Sequence, residues 1–346
     1  MKSQKYFAAV IGTGRIGFSL GFDKKREQPA SHTMALLLNK KINLIAAADK
    51  NAENLAEWKK YVRSKKCGKT NLTLTFDSSE KLYENITCLD IIVVAVNEEN
   101  HLEECLKAIA YKPRLVILEK PVALNTEQAQ KIKEAAHANG VPVLVNHERR
   151  FALDYLKAKE LMGKIGEIQK ITGWLYSGLR VYGKEFEKDG TYSLLHDGTH
   201  LVDIVNFLSE QELHSPLVTG IFRDEKNIVR NFTASYKETK IPEITLTMSG
   251  RSKFFEFGVE ILGTTGKICL GNGFFKFYRR KESKLYTGFY SLKSEKVKLP
   301  KKTLYFANMI QNAVDFLDGK AELRSPLSIA IEDLRALEEI KKALID

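Results

Sequence analysis

The sequence predicts an α/β protein in two parts: a doubly wound parallel sheet, then an α+β domain on a large, mostly antiparallel sheet. Three observations predict it. Over the first 150 residues short β-branched runs alternate with amphipathic segments, the rhythm of parallel strands joined by helices. From about Glu167 the rhythm changes to longer alternating runs separated by polar or glycine-bearing turns, which suits antiparallel strands. A chain of 346 residues, 44% of them hydrophobic, is also long enough for two cores.

In order, the strands expected in the first part are YFAAVIG, INLIAAAD, LTLTF, LDIIVVAV, RLVILEK and VPVLVN. Between them NAENLAEWKKYVRS and TEQAQKIKEAAHANG read as helices, the second closing on the Asn-Gly expected just past a helix end. In the second part EIQKITGWLYSG, PLVTGIFRD, NIVRNFTASYK, EITLTMSG, FFEFGVEILG, GKICLG and FFKFYRR read as strands. Helical patterns return at TLYFANMIQNAVDFLDG and SPLSIAIEDLRALEEIKKAL, the latter opening on a Ser-Pro cap. The expected division is 1–122 and 123–346, with the last helix or C-terminal segment returning to the first domain.

Composition excludes several classes. No apolar run approaches the roughly 18 residues of a membrane span. The N-terminal MKSQKYFAAVIGTG lacks the long apolar stretch and cleavage site of a signal peptide, so a soluble, cytoplasmic protein is expected. Cys67, Cys88, Cys105 and Cys269 are scattered singly, which argues against a disulfide framework or zinc ribbon. A net charge of +11 favours anionic partners, but the dispersed lysines accompany no nucleic-acid-binding signature, so no nucleic-acid partner is expected.

Directly after the first strand, VIGTGRIG sets Gly12, Gly14 and Gly17 at G-x-G-x-x-G spacing, with Thr13, Arg15 and Ile16 between them. In a strand–turn–helix setting the first glycine makes the tight turn, the second admits a pyrophosphate to the backbone, and the third lets helix pack on strand. The second strand ends in AAADK, placing Asp49 where a carboxylate accepts hydrogen bonds from an adenosine ribose and repels a 2′-phosphate. NAD is therefore the expected cofactor, with NADP left open by Lys50 next to it. Asp49 lies 37 positions after Gly12, beyond the usual interval of about 20. Reading FDKKREQPASH as an insertion into the first helix explains the excess, and His32 at its end is a candidate to reach the cleft.

At the end of the fifth strand LEKPVALN offers Glu119, Lys120 and Pro121, on the side of the sheet where ligands bind. With IGTGRIG, the aspartate of AAADK, VAVNEENHLEECLKAI, NHERRF, HDGTHLVDIVNFL, VEILGTTGKICL and SPLSIAIEDLRALEEI, the chain resembles the glucose-fructose oxidoreductase / inositol dehydrogenase (Gfo/Idh/MocA) family over nearly its whole length. The resemblance implies a Rossmann domain and nicotinamide-linked oxidation or reduction of a sugar, cyclitol or nucleotide-sugar hydroxyl or ketone. It also implies Lys120 near the reacting oxygen, Glu119 and Lys120 beside the cofactor, and a homodimer or homotetramer formed through the C-terminal sheet.

The family helix D-x-G-x-H-x-x-D corresponds here to HDGTHLVD, with His196 where the family has its first acid, Asp197 shifted by one, and His200 and Asp203 in place. An imidazole with an ordinary pKa near 6.5 suits proton exchange at neutral pH, so His200 is the expected acid/base and Lys120 its electrostatic partner. Asp197 or His196 would orient them, while Asp203 reads as a structural acceptor. His196 and His200 share a helix face, but no third ligand accompanies them and no metal is expected.

Asn97 and His101 follow the fourth strand and are candidate cofactor contacts. His147, Arg149 and Arg150, after the sixth strand, and Arg180 and Lys184, in the basic aromatic stretch YSGLRVYGKEFEKDGTY, are candidates for an anionic substrate. Two other functions fit the same motifs: a cofactor-binding sensor or regulator without catalysis, and a glycosidase that uses NAD as a transient oxidant.

Overall fold

The computed structural model describes residues 5–65, 73–178, 191–237 and 239–345, which divide into two compact units. The first unit runs to Ala152 and takes in Lys302–Ile331; the second comprises Leu153–Lys301 and the chain from Glu332 onward.

In the first unit β1 (Tyr6–Ile11), α1 (His32–Leu38), β2 (Ile42–Ala48), α2 (Ala52–Lys65), β3 (Leu74–Phe76), α3 (Ser79–Asn85), β4 (Ile91–Val94), α4 (His101–Ala110), β5 (Leu115–Leu118), α5 (Thr126–Asn139) and β6 (Val143–Val145) follow one another. The strands form a parallel sheet in the order β3-β2-β1-β4-β5-β6. The expected division at residue 122 thus falls inside this unit, because β6 adds a sixth strand beside β5. Strands buried on both faces read as continuous apolar runs, and β4 and β5 are buried at every position. Local chemistry sets the helix ends: Asn125 Oδ1 accepts from the Gln128 amide (2.9 Å) to start α5, and Gly140 at φ +63° ends it. The strand order reverses between β1 and β4, so the crevice for a ligand lies beyond the C-terminal ends of these strands.

The second unit carries α6 (Leu153–Met162), β7 (Ile168–Gly178), α7 (Thr191–His196), α8 (Gly198–Ser209) and β8 (Leu217–Arg223). There follow β9 (Val229–Tyr236), β10 (Glu243–Ser249), β11 (Arg251–Gly263), β12 (Gly266–Gly271), β13 (Phe274–Glu282) and β14 (Tyr290–Glu295). The sheet runs β14-β13-β12-β11-β7-β10-β9-β8 and is antiparallel except between β7 and β10. Register puts Ile171, Val259, Ile261, Ile268 and Leu270 on one buried face, where α8 packs Leu201 and Val205 against Gly173. Trp174, Tyr176 and Glu256 alternate to the other face.

Two helices follow the sheet. α9 (Tyr305–Leu317) belongs to the first unit, where Phe306, Met309 and Ile310 join Trp58, Tyr6 and Phe151 in its core. α10 (Leu327–Ile345) begins in the first unit and ends in the second. No helix among the described residues is long and apolar enough to cross a membrane.

Candidate active site

The glycine turn leaves β1 with Gly12 at φ +92°, a conformation that L side chains rarely adopt. An added Cβ there would stand 2.5 Å from the Ala95 carbonyl oxygen at the end of β4. At Gly17 it would stand 2.0 Å from the Gly12 oxygen, whereas at Gly14 nothing lies within 4 Å. Two glycines are thus required by the fold, and Gly14 leaves backbone open to a ligand, an arrangement that fits a dinucleotide pyrophosphate. The sequence leads one to expect a helix directly after the turn. Instead Phe18 N–H donates to Gly14 O (2.9 Å) and Leu20 N–H to Arg15 O (2.8 Å) in a single turn, a short 3₁₀ segment follows at Ser19–Phe22, and α1 begins only at His32. The intervening Asp23–Ser31 loop accounts for the long interval to Asp49.

Asp49 follows β2 and lies in space against the glycine turn. Its Oδ2 accepts from Thr13 N–H (2.7 Å) and Thr13 Oγ1 (3.0 Å), and its Oδ1 from Asn51 N–H (2.9 Å). A carboxylate has lone pairs to spare beyond these three, so it can still take ribose hydroxyls. Arg15 and Lys50 are exposed, Ile16 is half-buried, and Thr13 is buried.

The Glu119-Lys120 turn ends β5, with Glu119 N–H donating to Val94 O of β4 (3.0 Å). Glu119 is buried, and its Oε1 takes His32 Nε2 (2.5 Å) and Asn146 Nδ2 (2.6 Å). Burial alone would raise the Glu119 pKa. The hydrogen bond and charge of His32, the Asn146 amide and the Lys120 charge outweigh it and hold the carboxyl below its ordinary value. Lys120 itself is half-buried.

Two further candidates are buried. His101 has Nδ1 on the Pro121 carbonyl (2.7 Å) and Nε2 facing the Val96 carbonyl (3.1 Å), so it holds the lysine turn against the end of β4. Burial lowers its pKa below the ordinary value against the pull of the Pro121 oxygen and the Glu119 charge. His32, likewise, does not reach a cleft; its ring is fully buried on Glu119. Asn97, after β4, is exposed and available to a ligand. Asn146 went unnoticed in the sequence, since nothing local marks an asparagine after a strand as a carboxylate partner.

In the second unit the expected single helix is broken. α7 ends at His196, Asp197 occupies the junction as the N-cap of α8, and His200 N–H donates to Asp197 O at 3.2 Å. Gly198 fits tightly, since a Cβ would meet Leu337 and Met248 at 3.2 Å and Leu194 at 3.3 Å. His196, Asp197 and His200 are each partly exposed, and Asp203 is buried.

Among the expected substrate contacts, His147 and Arg150 are buried at 1% and 4% exposure. Ser325 Oγ lies 3.4 Å from His147 Nδ1. Arg149, partly buried, lies 3.5 Å from the Glu148 carboxylate. Arg180 and Lys184 lie outside the described residues.

Comparison with known proteins bears on the fold and the family. Residues 7–147 match the model of an oxidoreductase family with an NAD-binding Rossmann fold. The chain is 28% identical over 191 residues to an inositol 2-dehydrogenase of Saccharopolyspora erythraea, covering 53% of this chain and 54% of that one. It is 29% identical over 139 residues to a scyllo-inositol 2-dehydrogenase (NADP(+)) of Bacillus subtilis, covering 37% and 38%. The matches thus span about half or less of these relatives' length. Among solved structures, a UDP-N-acetylglucosamine 3-dehydrogenase from Acidithiobacillus ferrooxidans superposes with a TM-score of 0.77 at 16% identity, over 98% of this chain and 97% of that one, which shows the shared fold.

Proposed function

We propose, from the premise that this chain belongs through residues 7–147 to the oxidoreductase family with an NAD-binding Rossmann fold, that it is an NAD(P)-dependent dehydrogenase or reductase acting on a hydroxyl or ketone of a sugar, cyclitol or nucleotide-sugar. One observation carries the reading. The open glycine turn, Asp49 and the Glu119-Lys120 turn all stand at the C-terminal ends of adjoining strands of one parallel sheet.

The bound nicotinamide supplies the acceptance and donation of hydride. The chain's own residues do the rest. Backbone from Gly12 to Gly17, with Thr13, Arg15 and Ile16, would hold the pyrophosphate, Asp49 would take the adenosine ribose, and Asn97, exposed after β4, would be a further contact. NAD is the favoured form because a carboxylate at the ribose opposes a 2′-phosphate, while the exposed Lys50 and Arg15 keep NADP within reach.

Lys120 is the electrostatic residue: its ammonium stabilises negative charge on the reacting oxygen as a carbonyl becomes an alkoxide or the reverse. His200 is the acid/base, exchanging the hydroxyl proton, with Asp197 or His196 orienting the imidazole. The sugar-like substrate class is supported by the names of the relatives, two of which are inositol dehydrogenases. Assembly into a homodimer or homotetramer through the C-terminal sheet is supported by Leu217, Phe254 and Phe255, which are 54%, 57% and 58% exposed on its strands.

The test is turnover of the full chain on a panel of cyclitols, sugar phosphates and nucleotide-sugars with Lys120→Ala and His200→Ala. Each substitution is expected to lower kcat by about 100-fold or more while changing NADH affinity by less than about threefold. Wild-type turnover in both variants would remove these roles.

A further inference from the structure

We propose that His32 is a positioning residue: its Nε2–H holds the Glu119 carboxylate, and through that carboxylate fixes the place and the positive charge of Lys120, the next residue along the chain. The consequence for turnover rests on the role of Lys120 proposed above; the structural link does not.

Three observations carry it. His32 opens α1, and that helix start is fastened to the glycine turn: His32 N–H donates to Ile16 O (3.1 Å), Thr33 N–H to Gly17 O (3.0 Å) and Thr33 Oγ1 to the same oxygen (2.7 Å). Trp58 Nε1 in turn donates to Thr33 Oγ1 (2.9 Å), and the Phe306 ring meets the imidazole edge-on at 5.1 Å between centroids. The helix start is therefore fixed, and Phe306 backs the ring.

Among the described residues the imidazole's one polar contact is with Glu119. Nε2 lies 2.5 Å from Glu119 Oε1, while Nδ1 is buried with no hydrogen-bond partner among the described residues. Burying a ring nitrogen without a partner is unfavourable, and an apolar side chain would fill the same space without that cost. The imidazole is accounted for by what Nε2 does.

Glu119 is fully enclosed, and a buried carboxylate stays ionised only where donors and cations hold it. The donors are His32 and Asn146, and the titratable groups that feel its charge are His32 from α1, Lys120 beside it and His101 from α4. Without the His32 donor the carboxyl moves toward its neutral form, and Lys120, the next residue along the chain, loses an adjacent negative charge that favours its ammonium. The same clasp joins the cofactor turn to the lysine turn, because α1 is bonded to Ile16 and Gly17 at one end of the chain of contacts and to Glu119 at the other.

The experiment titrates Lys120 directly. The full-length protein is reductively methylated with ¹³C-formaldehyde, the dimethyl-Lys120 resonance is assigned by its loss in Lys120→Arg, and its shift is followed against pH. The variants are His32→Leu, which keeps the volume, His32→Ala, and His32→Gln, whose amide can still donate to Glu119. The Lys120 midpoint is expected to fall by about one unit or more in the Leu and Ala variants, and the Gln variant is expected to restore most of that difference. An unchanged midpoint in whichever of the Leu and Ala variants folds overturns the proposal. A fall that Gln does not reverse also overturns it, since the ring's bulk rather than its hydrogen bond would then matter. NADH binding is measured on the same samples: its absence in the wild type would sink the redox reading, whereas the titration judges the clasp independently of any cofactor.

Discussion

Gly12 and Gly14 are two residues apart and the same amino acid, yet they serve different ends. Gly12 is needed by the fold, with φ at +92° and a carbonyl oxygen 2.5 Å from where a Cβ would be, whereas the corresponding position at Gly14 has nothing within 4 Å. Gly12→Ala should therefore cost about 1–3 kcal/mol of stability and weaken NADH binding as well. Gly14→Ala should leave the urea midpoint nearly unchanged but weaken NADH binding about tenfold or more, since about 1.4 kcal/mol of lost contact is a factor of ten. Equal loss of stability in the two variants would contradict this division of roles. The glycine spacing, Asp49 and the Glu119-Lys120 turn were legible because each is local and sits at a strand end. His32 was legible only as a candidate, since its partner lies 87 positions away and a loop separates it from the turn that gives it meaning.

At the scale of elements, Glu119 links three of them: it ends β5, Asn146 follows β6, and His32 opens α1. Its folded carboxyl is held below the ordinary value. The stabilisation is therefore present in full above the unfolded glutamate pKa of about 4.3 and is lost as pH falls through the lower folded value. Glu119→Gln should cost about 2 kcal/mol near neutrality, the range for hydrogen bonds to a charged group, and the gap from wild type should close on acidification. Urea unfolding followed by tryptophan fluorescence at pH 7 and near pH 3 checks it; a gap that is constant with pH would show that the carboxylate's charge is irrelevant. Elements with a buried face were the readable ones. β14 was missed because Tyr290, Ser291 and Leu292 are exposed, so its alternation points to no core. The junction between α7 and α8 was missed because HDGTHLVD keeps a helical pattern through Asp197, whose own backbone angles stay in the helical region.

For the whole molecule, the change from alternating strand and helix to successive strands identified both sheets. Where the first unit ends was less visible: VPVLVN reads as a strand of the first part, yet nothing in its three-residue β6 fixes the boundary, which pairing with β5 carries past residue 122. The exposed aromatic residues of the second sheet bear on assembly. On the proposed assembly through this sheet, replacing Phe254 and Phe255 by serine should shift the protein toward monomer in light scattering, and an unaltered mass would contradict that proposal. The central claim, that this is a nicotinamide-dependent oxidoreductase, is tested most directly by titrating the full chain, stripped of bound nucleotide, with NADH and separately NADPH while following nicotinamide fluorescence. Saturable binding near 1 μM, about 8 kcal/mol, with NADH the tighter and the preference lost in Asp49→Ala, is the expected result. Saturation by neither nucleotide would contradict the claim.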